Sequence, residues 1–123
     1  MDIYLEIGQK KTFAGALDWP GWCRAGRDEG SALKALLAGG PRYARVMERA
    51  GLEFQAPDSV ASLHIVERVP GNATTDFGAP DVAPSGDPGR ITEDELRRYG
   101  LILQACWEAF DNATAAAAGI ELR

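Results

Sequence analysis

The stretch that most constrains this fold is its last quarter. Leu96, Tyr99, Leu103, Cys106, Phe110, Ala113 and Ala117 recur at alternating steps of three and four. That spacing predicts a helical seam of about three heptads. Leu101, Ile102, Ala105, Trp107 and Ala109 carry the apolar surface well past the seam. A helix this apolar has to be covered on more than one side. Either the rest of the domain covers one side and a partner the other, or the chain is a piece of a longer protein. Thr92-Glu93-Asp94-Glu95 reads as a capping box that starts this helix, and Gly119 as its stop.

The first half reads differently. Ile3, Leu5 and Ile7 alternate with Asp2, Tyr4 and Glu6, a period of two that predicts a half-buried strand. After the polar Gly8-Gln9-Lys10-Lys11, Thr12 to Leu17 returns as a second strand. Asp18-Trp19-Pro20-Gly21 is a turn, and Trp22 to Ala25 a third strand, giving an antiparallel meander. Asp28 is placed to cap a helix carrying Ala32, Leu33, Leu36 and Leu37. Gly39-Gly40-Pro41 should end or kink it, and Tyr43, Val46, Met47 and Ala50 stripe its continuation up to a left-handed Gly51. So residues 28 to 50 form one kinked helix or two. Leu52 to Phe54 could add a short extended piece. Ser62 to Val69 reads as a fourth strand, with Leu63, Ile65 and Glu67 on one face.

Fourteen glycines and seven prolines are unevenly spread, and four of each fall between 70 and 90. No period holds there, which predicts a linker, a functional loop or a strap across the surface. The expected fold class is α+β. A three-stranded meander and a fourth edge strand pack with a helix or kinked helix pair over residues 1–69. A Pro/Gly-rich segment follows over 70–91 and a C-terminal amphipathic helix over 92–118.

Little in the chain invites catalysis. His64 is the one imidazole and reads as a surface or boundary residue. Cys23, beside Arg24, is a small strand residue or a thiol of lowered pKa; Cys106 reads as core. Asp28-Glu29 and Glu93-Asp94-Glu95 sit at helix starts, where acids suit the dipole. Neither a metal nor a cofactor is expected. Arg42, Arg45 and Arg49 stripe the polar side of their helix, a solvated face first and a nucleic-acid contact second. A formal net charge of -5 argues against phosphate binding as the main task and suits a basic protein partner. No stretch reaches the length of a membrane span, and the early acids do not form a signal peptide, so a cytoplasmic protein is expected. Trp19-Pro20-Gly21-Trp22 brings two indoles around one rigid turn. One is expected inside and the other against the loop, the last helix or another subunit.

Residues 2 to 37 resemble a HicB-like antitoxin domain. The resemblance rests on the Asp18-Trp19-Pro20-Gly21 turn, Gly26 five residues on, the polar helix start at Asp28 and the Ala32-Leu33 pair. It extends to Val69 with the fourth strand. Ser31 departs from the family's glutamate, and Gly39-Gly40-Pro41 interrupts its helix. The resemblance implies a partial ribonuclease-H-like fold and a non-catalytic module that neutralises a small basic toxin. Residues 92 to 118 lack the helix-turn-helix or ribbon-helix-helix signature that would go with DNA binding, so nucleic acid is not an expected partner. The last helix is similar to the opening helix of a DinB-like bundle, whose histidine triad has no counterpart beyond His64.

The leading expectation is thus a protein-interaction module, not an enzyme, acting on a partner protein or as a homodimer. Its contact residues would be Trp19, Trp22, Leu96, Tyr99, Leu103, Trp107 and Phe110. The alternatives are a small enzyme using Cys23 or His64 beside Asp28 or Glu67, and nucleic-acid binding through Arg42, Arg45 and Arg49.

Overall fold

The computed structural model describes residues 1–85 and 91–119. Strands β1 (Asp2–Ile7), β2 (Thr12–Ala16) and β3 (Cys23–Gly26) form the antiparallel meander. Helix α1 (Glu29–Arg49) returns the chain across the sheet, and β4 (His64–Pro70) joins parallel to β1. The sheet order is β3-β2-β1-β4. A short helix α2 (Ala73–Phe77) and the long α3 (Glu93–Ala117) complete the α+β architecture.

Helix α1 covers the sheet face that carries Ile3, Leu5 and Ala14, and Leu33, Leu36, Tyr43 and Met47 fill the space between. Asp28 caps α1 by accepting the Ser31 N–H at 2.8 Å. At the other end Gly51 takes φ +73, and Leu52 N–H reaches the Met47 carbonyl, a Schellman closure.

The Gly39-Gly40-Pro41 triplet does not split the helix. Its glycines lie inside α1 because other groups occupy the space their side chains would take. A Cβ on Gly40 would sit 3.1 Å from Ala56 Cβ, and one on Gly39 would sit 3.1 Å from Arg24 Nε. Tertiary packing outweighs the local cost of glycine and of one lost N–H. Leu52 to Phe54 is not a strand; Phe54 is buried instead in the aromatic cluster.

Strand β4 departs from simple alternation. Ile3 pairs with Ile65 but Tyr4 pairs with Glu67, so a bulge falls at Val66. The bulge turns Arg68 to the α1 side, where it grips Glu29 at 2.7 Å, and sends Glu67 to the opposite face.

The chain after β4 is a strap across that opposite face, held by three carboxylates. Asp76 accepts the N–H groups of Gln9, Lys10 and Lys11 from the β1–β2 turn. Glu6 is fully buried and accepts the Thr75 hydroxyl and the N–H groups of Asp81 and Val82. Glu67 accepts both the N–H and the hydroxyl of Ser85.

Candidate interaction face on the last helix

The turn between β2 and β3 sets the position of α3. The Trp22 indole is buried and donates to the Leu36 carbonyl at 3.0 Å. The Tyr43 hydroxyl donates to the Pro20 carbonyl at 2.6 Å, which ties the turn to α1. Trp19, Trp22, Tyr43 and Phe54 pack edge-on or stacked, with neighbouring centroids 5.0 to 6.3 Å apart. Helix α3 closes this cluster, and the Arg98 guanidinium lies 4.3 Å above the Trp19 ring. Burial pushes the Tyr43 phenol far above its ordinary value, nearby Cys106 adding and Arg98 opposing.

The seven residues expected to meet a partner therefore separate. Trp22 is internal and Trp19 is half-buried beneath α3. Tyr99 is half-buried beside them. Leu96, Leu103, Trp107 and Phe110 point outward, at 64%, 60%, 59% and 63% exposure. Within the expected seam, Tyr99 and Cys106 face the domain while Leu96, Leu103 and Phe110 do not. The residues of α3 that pack deepest are Ile102 and Ala105, outside the seam. Ala105 is small enough for α3 to approach the domain closely, and that choice of face rotates the heptad positions outward.

At 100° per residue the four exposed side chains fall within an arc of about 60°. They run about 21 Å along the helix, roughly 120° around from Ile102, Ala105 and Cys106. The Trp107 and Phe110 rings meet edge to face at 6.2 Å. The start of α3 is well made: Thr92 accepts the Glu95 N–H at 3.1 Å. Its hydroxyl in turn donates to the Glu95 carboxylate, so that carboxylate does not reach the Thr92 backbone.

The residues of the enzyme alternative are scattered. Cys23 lies on β3 and His64 on β4, the two edges of the sheet. Three strand spacings, about 14 Å, separate them. Burial first, and Glu6 second, push the Cys23 thiol up to about 11, and Arg24 only partly opposes them. This is the reverse of the lowered pKa that the enzyme alternative would need, because the thiol is desolvated. His64 is exposed and pairs with Asp2 at 3.2 Å. Asp28 and Glu67 already serve as helix cap and strap anchor. A hollow of ≈ 220 Å³ beside Cys23 is lined by Tyr4, Gly15, Leu17, Pro20, Trp22 and Pro84, among others. Among the described residues no three His, Cys, Asp or Glu side chains gather as metal ligands. Arg42, Arg45 and Arg49 are all exposed on α1. No helix among the described residues is long and apolar enough to cross a membrane.

Nothing in the sequence marks the buried anchor Glu6 as a special residue. Its place in an alternating strand predicts a solvent-facing side chain, and only the strap, 69 to 76 residues on, reveals why a carboxylate is needed there. Comparison with protein-family models, curated proteins and solved structures gave no significant match.

Proposed function

We propose that this protein is a non-catalytic protein-interaction module whose working surface is the outward stripe of α3. One observation carries the reading. Four large apolar side chains on one helix face are each about six-tenths exposed, although the same helix is firmly docked by its other face. Contiguous exposed apolar surface of this kind costs solubility and is characteristic of contact sites. Aromatic anchors flanked by aliphatic residues are the usual composition of such a centre.

The module is of the HicB-like antitoxin type. Support comes from the order β1-β2-β3-α1-β4 with β4 at the sheet edge, and from the turn and glycine that carry the resemblance. Gly26 fits its place for a steric reason: a Cβ there would lie 2.6 Å from the Ser31 carbonyl carbon, where β3 crosses the start of α1. The formal net charge of -5 and the exposed Glu93, Asp94 and Glu95 at the head of α3 suit a basic protein partner.

The test is a binding comparison between the wild type and a Leu103→Glu/Trp107→Glu variant. Both positions are exposed, so the variant keeps its far-ultraviolet spectrum and melting transition. Binding, whether to a second copy or to a small basic protein, is expected to be lost. Unchanged binding by the variant would show that the working surface lies elsewhere.

A further inference from the structure

We infer that residues 80–85, the distal part of the strap, are a latch: they open as a unit while α2 stays in place, and their closure sets the reactivity of the Cys23 thiol. This is independent of the reading of α3.

The two parts of the strap are held differently. Residues 72–79 are fixed by their own backbone and by the sheet. Asn72 caps α2 by accepting the Thr74 and Thr75 N–H groups, and the Gly78 and Ala79 N–H groups both reach the Thr74 carbonyl at 3.1 Å. Thr75 is fully buried, and Asp76 takes three N–H groups of the β1–β2 turn. Residues 80–85 have none of this. Among the described residues, no backbone–backbone hydrogen bond reaches them. Pro80 and Pro84 have no N–H to offer. Side chains alone hold the segment. Glu6 accepts the Asp81 and Val82 N–H groups at 3.0 and 2.7 Å, and Glu67 accepts the Ser85 N–H and hydroxyl at 3.0 and 2.8 Å. Asn72 Nδ2 donates to the Asp81 carboxylate at 2.7 Å. Apolar burial adds little: Pro84 is buried and Val82 half-buried, while Pro80, Asp81, Ala83 and Ser85 are exposed.

A segment with so few buried apolar groups opens locally, without unfolding the domain. The carboxylates it leaves are not stranded. Glu67 is already half-buried only, and water replaces Ser85. Glu6 keeps the Thr75 hydroxyl at 2.7 Å, which belongs to the fixed part. Six residues regain backbone freedom at the same time. Glu6 grips the near end and Glu67 the far end, with the stiff Pro84 between them, so the ties act together.

Cys23 lies beneath. It pairs with Gly15, Gly15 with Tyr4 and Tyr4 with Glu67, which puts the thiol on the face that the strap covers. Ala83 and Pro84 share the ≈ 220 Å³ hollow with it. Burial is the first cause that holds the thiol above its ordinary value. Lifting residues 80–85 removes Ala83 and Pro84 and admits water, which favours the thiolate, the reactive form.

The experiment is residue-resolved amide exchange on the full chain, with iodoacetamide alkylation of Cys23 and Cys106 read separately by peptide mass. In the wild type the Asp81, Val82 and Ser85 amides should share one protection factor, at least about tenfold below those of Gly78 and Ala79. Glu67→Ala removes only the ties to Ser85. It should nevertheless lower protection at Asp81, Val82 and Ser85 together, roughly tenfold, and quicken Cys23 alkylation by a similar factor. Gly78, Ala79 and the Gln9, Lys10 and Lys11 amides should keep their protection, and Cys106 its rate. Ser85→Ala, which removes the hydroxyl tie alone, should act in the same direction by about threefold. Loss confined to Ser85 overturns the latch, because the segment then does not move as one. Loss that spreads to Gly78 and Ala79 overturns it too, because the whole strap then lifts. Amides that respond as expected beside an unchanged Cys23 rate overturn the control of the thiol.

Discussion

Glu6 shows how one side chain can organise the second face of a sheet. It is fully buried, and its two oxygens accept one hydroxyl and two backbone N–H groups from the strap. Glu6→Leu would leave those donors dry or force the strap outward. Dry donors cost about 1–3 kcal/mol each, and outward movement of the strap rehydrates part of the three, so a loss of at least about 2–3 kcal/mol is expected by urea denaturation. A loss within about 0.5 kcal/mol would contradict the anchor role. Gly26 makes the opposite demand, for absence of a side chain. Gly26→Ala has to push β3 away from backbone atoms at the head of α1, not from a yielding side chain. An expected cost of about 1–3 kcal/mol follows from overpacking, read as a lower melting midpoint. Of these two residues, only Gly26 was legible in sequence, through the turn motif that precedes it. Glu6 was hidden because its partners lie beyond α1 and β4, where periodicity says nothing about what covers the polar face.

At the scale of elements, local pattern set most of the structure and tertiary contact overrode it in three places. The meander, the cap at Asp28 and the Schellman end at Gly51 follow from alternation, spacing and backbone chemistry. The Gly39-Gly40-Pro41 triplet reads as a break, yet the helix continues because Trp22, Arg24 and Ala56 crowd against the glycines. The Val66 bulge leaves no trace in alternation, since Val66 reads equally well in either register. The α3 seam was legible as an apolar helix, but not the rotation of its domain-facing side; only the packing of Ile102 and Ala105 decides that. The strap yields a pH prediction. The backbone N–H groups of Lys10 and Lys11 hold the Asp76 carboxyl below its ordinary value. A depressed folded-state value gives stability that is complete above the unfolded value, near pH 4, and is lost as pH falls through the lower folded value. Amide exchange at Gln9, Lys10 and Lys11, taken relative to the intrinsic rate at each pH, should therefore quicken below about pH 4. In Asp76→Ala it should be fast already at neutral pH, without that step. Equal protection of the three amides in variant and wild type would remove Asp76 from the role.

For the whole molecule, the unevenness of exposure matters more than any single contact. One sheet face is covered by α1, the other by the strap, and α3 is docked over the Trp19 turn by Arg98 and Ile102. After all that coverage a single helix still presents Leu96, Leu103, Trp107 and Phe110 to solvent. The domain has no further described element to place over them, which leaves them to another chain. The most direct test is solution mass by light scattering across a concentration series, for the wild type and for Leu103→Glu/Trp107→Glu. Self-association through α3 predicts that the wild type rises from the 13.2 kDa of one chain toward twice that mass, while the variant stays at one chain with its secondary structure intact. Equal masses for the two proteins at every concentration would contradict it.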